Sequence, residues 1–265
     1  MKIHALLIDC QNDFTDPNGS LFVKGADKDM DRLALMIRRL GNKLDDIHST
    51  LDSHALMHIG NPLFWRNSNG KHPAPFTGIT VSDVENGVWA PTRPNLAKHA
   101  LDYVKALSAS SRYSLTVWPP HCLIGDEGHC INKKVFEAFN EWETAKLKTI
   151  DMVTKGSNPL TEHYSIFKAE YEMPDDPTTQ LNTRLVKTFI DADEVVVAGE
   201  ASSHCVRNSV VDLANAFGDD SYVKKLVYLK DASSPVPGFE QFEEDFLREM
   251  SKRGMRISTT TEYLA

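Results

Sequence analysis

Glu194-Val195-Val196-Val197-Ala198 runs directly into Gly199-Glu200-Ala201-Ser202-Ser203-His204-Cys205-Val206. The first part is short and rich in β-branched residues, which predicts a buried parallel strand rather than one with a wet face. The residues that follow, Val206 to Ala214, carry apolar side chains at helical spacing. Cys205 therefore sits where a strand turns into a helix. Helix N-termini expose unpaired N–H groups and the positive end of the dipole. Both favour a thiolate over a free thiol, whose pKa is about 8.5. The same N–H groups can hold a developing oxyanion. The alternative at this point is a small, inert, buried cysteine.

Working outward, the same strand-then-helix alternation recurs. Ile3 to Ile8 predicts a first buried strand, and 27–44 a helix. Strands are predicted at 46–51, 115–117, 149–153, 225–229 and 255–259, and helices at 94–107, 132–146, 179–190 and 239–252, with Gly254 as a stop. No repeat, linker or low-complexity segment interrupts the pattern, which predicts one domain spanning 1–265. Alternating strands and helices indicate an α/β fold with a doubly wound parallel sheet covered on both faces. The stretch from about Trp65 to Arg93 is rich in Asn, Gly and Pro, with a short strand predicted within 76–80. A loop of that length implies a lid, an interface or a small subdomain.

The chain has 265 residues, 41% of them hydrophobic, enough for a substantial core. Its net charge of −8 argues against a nucleic-acid partner, which calls for a basic face. Cys10, Cys122, Cys130 and Cys205 form no C-x-x-C pair, so neither a zinc ribbon nor a disulfide framework is indicated. Reduced thiols imply a cytoplasmic setting. No apolar run is long enough for a signal segment or a bilayer span.

Ligands of open parallel sheets bind outside the C-terminal strand ends. Asp9 falls there, before Cys10-Gln11-Asn12-Asp13-Phe14. Asp52-Ser53-His54 ends the second strand, and alternate residues of an extended chain share a face, so Asp52 and His54 can converge on a metal. Solvated or structural roles are the alternative for such a pair. His121, in Trp118-Pro119-Pro120-His121-Cys122, is the candidate third ligand, presented by a stiff diproline loop at a strand end. Trp118 is placed to line a flat pocket or to pack as ordinary core. Lys155 follows another strand, where an ammonium near Cys205 would stabilise a thiolate, although most lysines are solvated. Cys122 is the poorer nucleophile, since it follows two prolines instead of opening a helix.

These residues together resemble the cysteine hydrolases of the isochorismatase-like superfamily, and within it the nicotinamidases and pyrazinamidases. The resemblance rests on residues 7–14, on Asp52-Ser53-His54, on residues 118–122, on Lys155-Gly156 with Tyr164-Ser165-x-Phe167, and on Gly199-Glu200-Ala201 with His204-Cys205-Val206. It implies a three-layer α/β/α sandwich around a six-stranded sheet. Cys205 would be the nucleophile, Asp9 the proton carrier and Lys155 the anion stabiliser. The Ala201 and Cys205 N–H groups would form the oxyanion hole, beside a cis Glu200–Ala201 peptide. Asp52, His54 and His121 would hold a divalent metal: zinc first, with iron or manganese also suited to this donor set. Phe14, Trp118 and Tyr164 would bind an aromatic amide. Isochorismatases proper lack the nucleophilic cysteine. The resemblance also implies a homo-oligomer, with no nucleic acid or membrane as partner.

Two departures keep other readings open. An insertion at about 66–114 exceeds the loop of compact nicotinamidases, and His58 and His72 stand at unusual spacing for a further ligand. The alternatives are an amidohydrolase of another small amide, carbamoyl or ureido compound, and a non-catalytic binding protein on the same fold.

Overall fold

Successive residues of a strand point to opposite faces, and the buried strands of this chain fill a separate core on each side. The computed structural model describes residues 1–110 and 112–265. Its sheet has six strands: β1 (Ile3–Ile8), β2 (Asp46–Asp52), β3 (Asp151–Lys155), β4 (Glu194–Gly199), β5 (Leu226–Leu229) and β6 (Arg256–Ser258). Their order is β6-β5-β4-β1-β2-β3, and every neighbouring pair is parallel. The chain winds from β1 one way to β3 and then returns to the other side of β1. The switch point thus lies between β1 and β4, where a crevice opens at the C-terminal strand ends.

The described residues form six longer helices: α1 (Ala26–Leu40), α2 (Ala97–Ser110), α3 (Lys133–Lys146), α4 (Thr183–Ile190), α5 (Cys205–Phe217) and α6 (Glu240–Arg253), of which α2 packs in a satellite core away from the sheet. On one face Ala5, Leu7, Val196 and Ala198 pack with Met30 and Leu33 of α1 and Phe139 of α3. On the other, Leu6, Ile8, Val195 and Val197 pack with Phe189 of α4, Val210 of α5 and Phe246 of α6. The result is the expected α/β/α sandwich. No helix among the described residues is long and apolar enough to cross a membrane.

Several boundaries move for local reasons. The first turn expected of α2 is a 3-10 turn at Pro94–Leu96, and α4 starts only after Asn182, whose side chain caps the Leu185 N–H. β3 begins two residues later than expected and includes Lys155 as its last residue.

The strand expected at 115–117 is a correction of substance. Only Leu115–Thr116 is extended and paired, antiparallel with Gly78–Ile79, outside the main sheet. Leu115 and Val117 are buried instead in a satellite core with Phe64, Trp65, Ile79, Tyr103 and Leu107. That core claims the side chains a sheet strand would have offered to the central layers. Residue 111, inside the expected 66–114 insertion, lies outside the described residues.

Candidate active site

β1 ends at Ile8, and Asp9 takes a left-handed backbone with φ +47°, which aspartate tolerates better than most residues. Its N–H donates to Thr50 Oγ1 at 2.9 Å, and the Thr50 hydroxyl donates to Asp9 Oδ1 at 2.5 Å. Neighbouring β4 ends in Gly199, where a Cβ would stand 2.0 Å from the Ile8 carbonyl oxygen. Glycine is therefore required for the two strand ends to close. The Glu200–Ala201 peptide beyond it is cis. Cys205 then opens α5, with His204 as N-cap. Among the described residues, neither the Ala201 nor the Cys205 N–H donates to a backbone carbonyl, so both are free to bind an oxyanion.

Register brings the lysine in, since Lys155 of β3 pairs with Asp52 of β2. The Lys155 Nζ lies 2.9 Å from Asp9 Oδ2, 2.9 Å from Asp52 Oδ1 and 3.5 Å from Cys205 Sγ, fully buried among them. Burial alone would discharge such an ammonium, yet Asp52, then Asp9 and Cys205 outweigh it and hold Lys155 well above its ordinary pKa. Asp9 is pushed up by burial against the pull of Lys155. Burial also pushes the Cys205 thiol up, again against Lys155. The Lys155 ammonium favours the thiolate and burial opposes it, with the Asp9 carboxylate beside both.

The metal half of the site adjoins this triad. Asp52 Oδ2 lies 3.0 Å from His54 Nε2 and 3.4 Å from His121 Nε2, and all three residues are buried. His121 donates its Nδ1–H to the Pro119 carbonyl at 2.8 Å. That bond fixes the ring with Nε2 turned toward the Asp52 carboxylate, the direction from which it could ligate a cation. Buried His54 Nδ1 has no partner. Two imidazoles and one carboxylate form a donor set that fits a divalent metal ion. Gly156 closes its floor with φ +81°, where a Cβ would meet Asp52 Oδ1 and His54 Cε1 at 2.9 Å. His121 reaches the cluster from the satellite hairpin's exit loop, not from a strand of the main sheet.

His58 lies beside His54 with both ring nitrogens hydrogen-bonded, whereas His72 is engaged away from the cluster. His58 accepts the Gly60 N–H at Nδ1 and donates to the Thr161 carbonyl from Nε2, both at 3.1 Å. His72 bonds the Trp65 carbonyl in the satellite region. Glu162 was missed: it is buried, with Oε1 3.9 Å from His54 Nε2, and forms a second donor group with His54 and His58. His58 and His54 hold its carboxyl below the usual value although burial pushes it up. Its one signal in the sequence was its place seven residues after Lys155.

A cleft opens on Cys205, Asp52 and His121, with Phe14, Trp118 and Tyr164 in its walls. Trp118 donates its indole N–H to Tyr164 Oη at 2.9 Å, which fixes both rings. His204 also lines the cleft and was missed, although it adjoins Cys205. Ser203 Oγ accepts the Val236 N–H at 3.0 Å and shares a hydrogen bond with His204 Nδ1 at 2.9 Å. Burial lowers the His204 pKa to about 3.

No protein-family model matches the chain. It is similar to the nicotinamidase of Saccharomyces cerevisiae, 24% identical over 209 residues that cover 79% of this chain and 80% of that protein. The solved structure of yeast nicotinamidase Pnc1p superposes with a TM-score of 0.66 at 20% identity, covering 96% of this chain and 98% of that one. The chain has the nicotinamidase fold. A pyrazinamidase of Pyrococcus horikoshii, solved in complex with zinc, shares the fold with a TM-score of 0.56 at 20% identity, over 98% of this chain and 99% of its own. The isochorismatase-like resemblance and the nicotinamidase neighbours thus coincide. Within the nicotinamidase fold, Asp9, Lys155 and Cys205 converge at the switch point, and Asp52, His54 and His121 lie beside them.

Proposed function

We propose that this protein is a metal-dependent nicotinamidase that converts nicotinamide and water to nicotinate and ammonia through an acyl-thioester on Cys205. The observation that carries this reading is the Lys155 ammonium shared by Asp9, Asp52 and Cys205, which joins a cysteine nucleophile to a metal-ligand set. Phe14, Trp118 and Tyr164 supply flat apolar walls for an aromatic ring. A divalent ion held by Asp52, His54 and His121 would supply a Lewis-acidic anchor for a ring nitrogen.

Asp9 takes the Cys205 proton as sulfur forms its bond to the amide carbon, and the Ala201 and Cys205 N–H groups hold the oxyanion. Asp9 returns the proton to the leaving nitrogen as the C–N bond breaks, releasing ammonia. A water then loses a proton to Asp9 and cleaves the thioester, restoring the thiol. Lys155 offsets the negative charge through both halves. The donor chemistry and the zinc-bound pyrazinamidase neighbour support zinc as the metal. Reduced, dispersed cysteines support a cytoplasmic location, and homo-oligomerisation through the 66–114 insertion completes the proposal.

The test is ammonia release from nicotinamide by the metal-loaded protein beside its Cys205→Ala variant. Release that falls by at least about 10³-fold in the variant is expected, the scale seen when a nucleophile is removed. No release from a metal-loaded wild type whose Cys205 still alkylates would reject nicotinamide in favour of a carbamoyl or ureido amide.

A further inference from the structure

Gln11 and Asp13 follow Asp9, are buried, and take no part in the steps above. The Gln11 amide closes on the backbone of Asp52. Its Oε1 accepts the Asp52 N–H at 2.7 Å, and its Nε2 donates to the Asp52 carbonyl at 2.8 Å and to the His129 carbonyl at 2.9 Å. Every hydrogen-bonding direction of the side chain but one lone pair is thereby used.

Asp13 grips the opposite side of the metal-ligand set. Its Oδ2 accepts the Cys122 N–H at 2.6 Å and its Oδ1 the Ser20 N–H at 2.9 Å. Cys122 directly follows His121, has a left-handed φ of +47°, and accepts the His54 N–H at its carbonyl at 3.0 Å. One residue, held by Asp13, therefore sits between two of the three donors. Gly128 shows how closely the loop folds onto this carboxylate, because a Cβ there would stand 2.2 Å from Asp13 Oδ2. Further backbone bonds, Asn12 N–H to Cys130 and Asn132 N–H to Cys10, zip the two loops together.

We propose that Gln11 and Asp13 are positioning residues that set the spacing of Asp52, His54 and His121 for a divalent cation and tie that spacing to β1, whose end carries Asp9. The proposal rests on these three residues being the ligands, and not on nicotinamide being the substrate. A metal site works only when donor distances hold to about 0.2 Å. A carboxylate at a strand end, an imidazole just beyond it and a second imidazole from a separate loop lack that precision unless their backbones are pinned, and outer-shell partners of this kind carry about 10–100-fold in metal affinity.

Cobalt(II) is the probe, bound to the full chain after chelator treatment, with affinity read by chelator competition and geometry by the visible d–d bands. Gln11→Met and Asp13→Asn should each weaken binding about 10–100-fold and alter the bands. Gly128→Ala, which keeps the Asp13 carboxylate but pushes it aside, should do the same. Alkylation of Cys205 in the metal-free variants should match wild type. Wild-type cobalt affinity and bands in all three variants, even with lowered thermal stability, would overturn the proposal. If Gln11→Met does not fold, the other two variants decide. Weakened cobalt binding in a protein that releases no ammonia from nicotinamide would sustain the positioning role while rejecting the nicotinamidase reading. A wild type that binds no cobalt would reject the positioning role.

Discussion

At the scale of single residues, the site works against desolvation. Asp9, Lys155 and Cys205 are all buried, and each would be neutral if it stood alone. Two carboxylates face Lys155 and hold its pKa up, whereas burial pushes the Cys205 thiol up against the pull of Lys155. Asp9 must therefore be ionised to act, and burial raises its pKa above the usual carboxylate range despite Lys155. As pH falls, protonation removes the base, so kcat/KM should decline at a pH above that of an ordinary aspartate, whose pKa is about 3.9. A pH profile whose acid limb lies at or below that value would contradict this assignment of the base.

At the scale of elements, the N-terminal ends of β1 and β2 carry an unusual pair, far from the cleft. His4 Nδ1 and His48 Nε2 are 2.9 Å apart, His48 Nδ1 lies 2.8 Å from Asp151 Oδ2, and Phe189 packs edge-on against both rings. Burial first, and then His48, lowers the His4 pKa from 6.5 to about 4. Between those values the unfolded chain binds a proton that the folded one refuses. Stability from this site is present above about pH 6.5 and is lost as pH falls toward 4. Urea midpoints should drop between pH 7.5 and 4.5, and drop less in His4→Leu; equal drops in both proteins would remove His4 as the cause.

The whole molecule has two cores on the faces of one sheet and a third in the satellite around Trp65. Trp65 is fully buried, with its indole N–H bonded to the Ile59 carbonyl at 2.7 Å. Truncating such a residue costs about 3–5 kcal/mol. Because the satellite has its own core, Trp65→Ala should first expose the 66–114 segment. Limited proteolysis is expected to cut there before any sheet strand, and cleavage spread evenly over the chain would show the three cores to be one cooperative unit.

What the sequence determined by itself follows from local physics. Apolar runs such as Val195 to Ala198 read as strands buried on both faces, and their alternation with amphipathic helices leaves few topologies. Asp9, Asp52, Lys155 and Cys205 were legible because strand ends of a parallel sheet meet on one side. Tertiary structure alone decided the rest. Leu115 and Val117 have the pattern of a sheet strand but were captured by the satellite core, so His121 arrives from outside the sheet. Glu162 gave no periodic signal, because its proximity to His54 depends on how a loop folds back over β3. Gln11 and Asp13 read as ordinary loop residues until the 121–132 loop closed on them. The burial that opposes a thiolate at Cys205 was likewise beyond the sequence, since desolvation depends on everything packed around the sulfur and not on its place at a helix end.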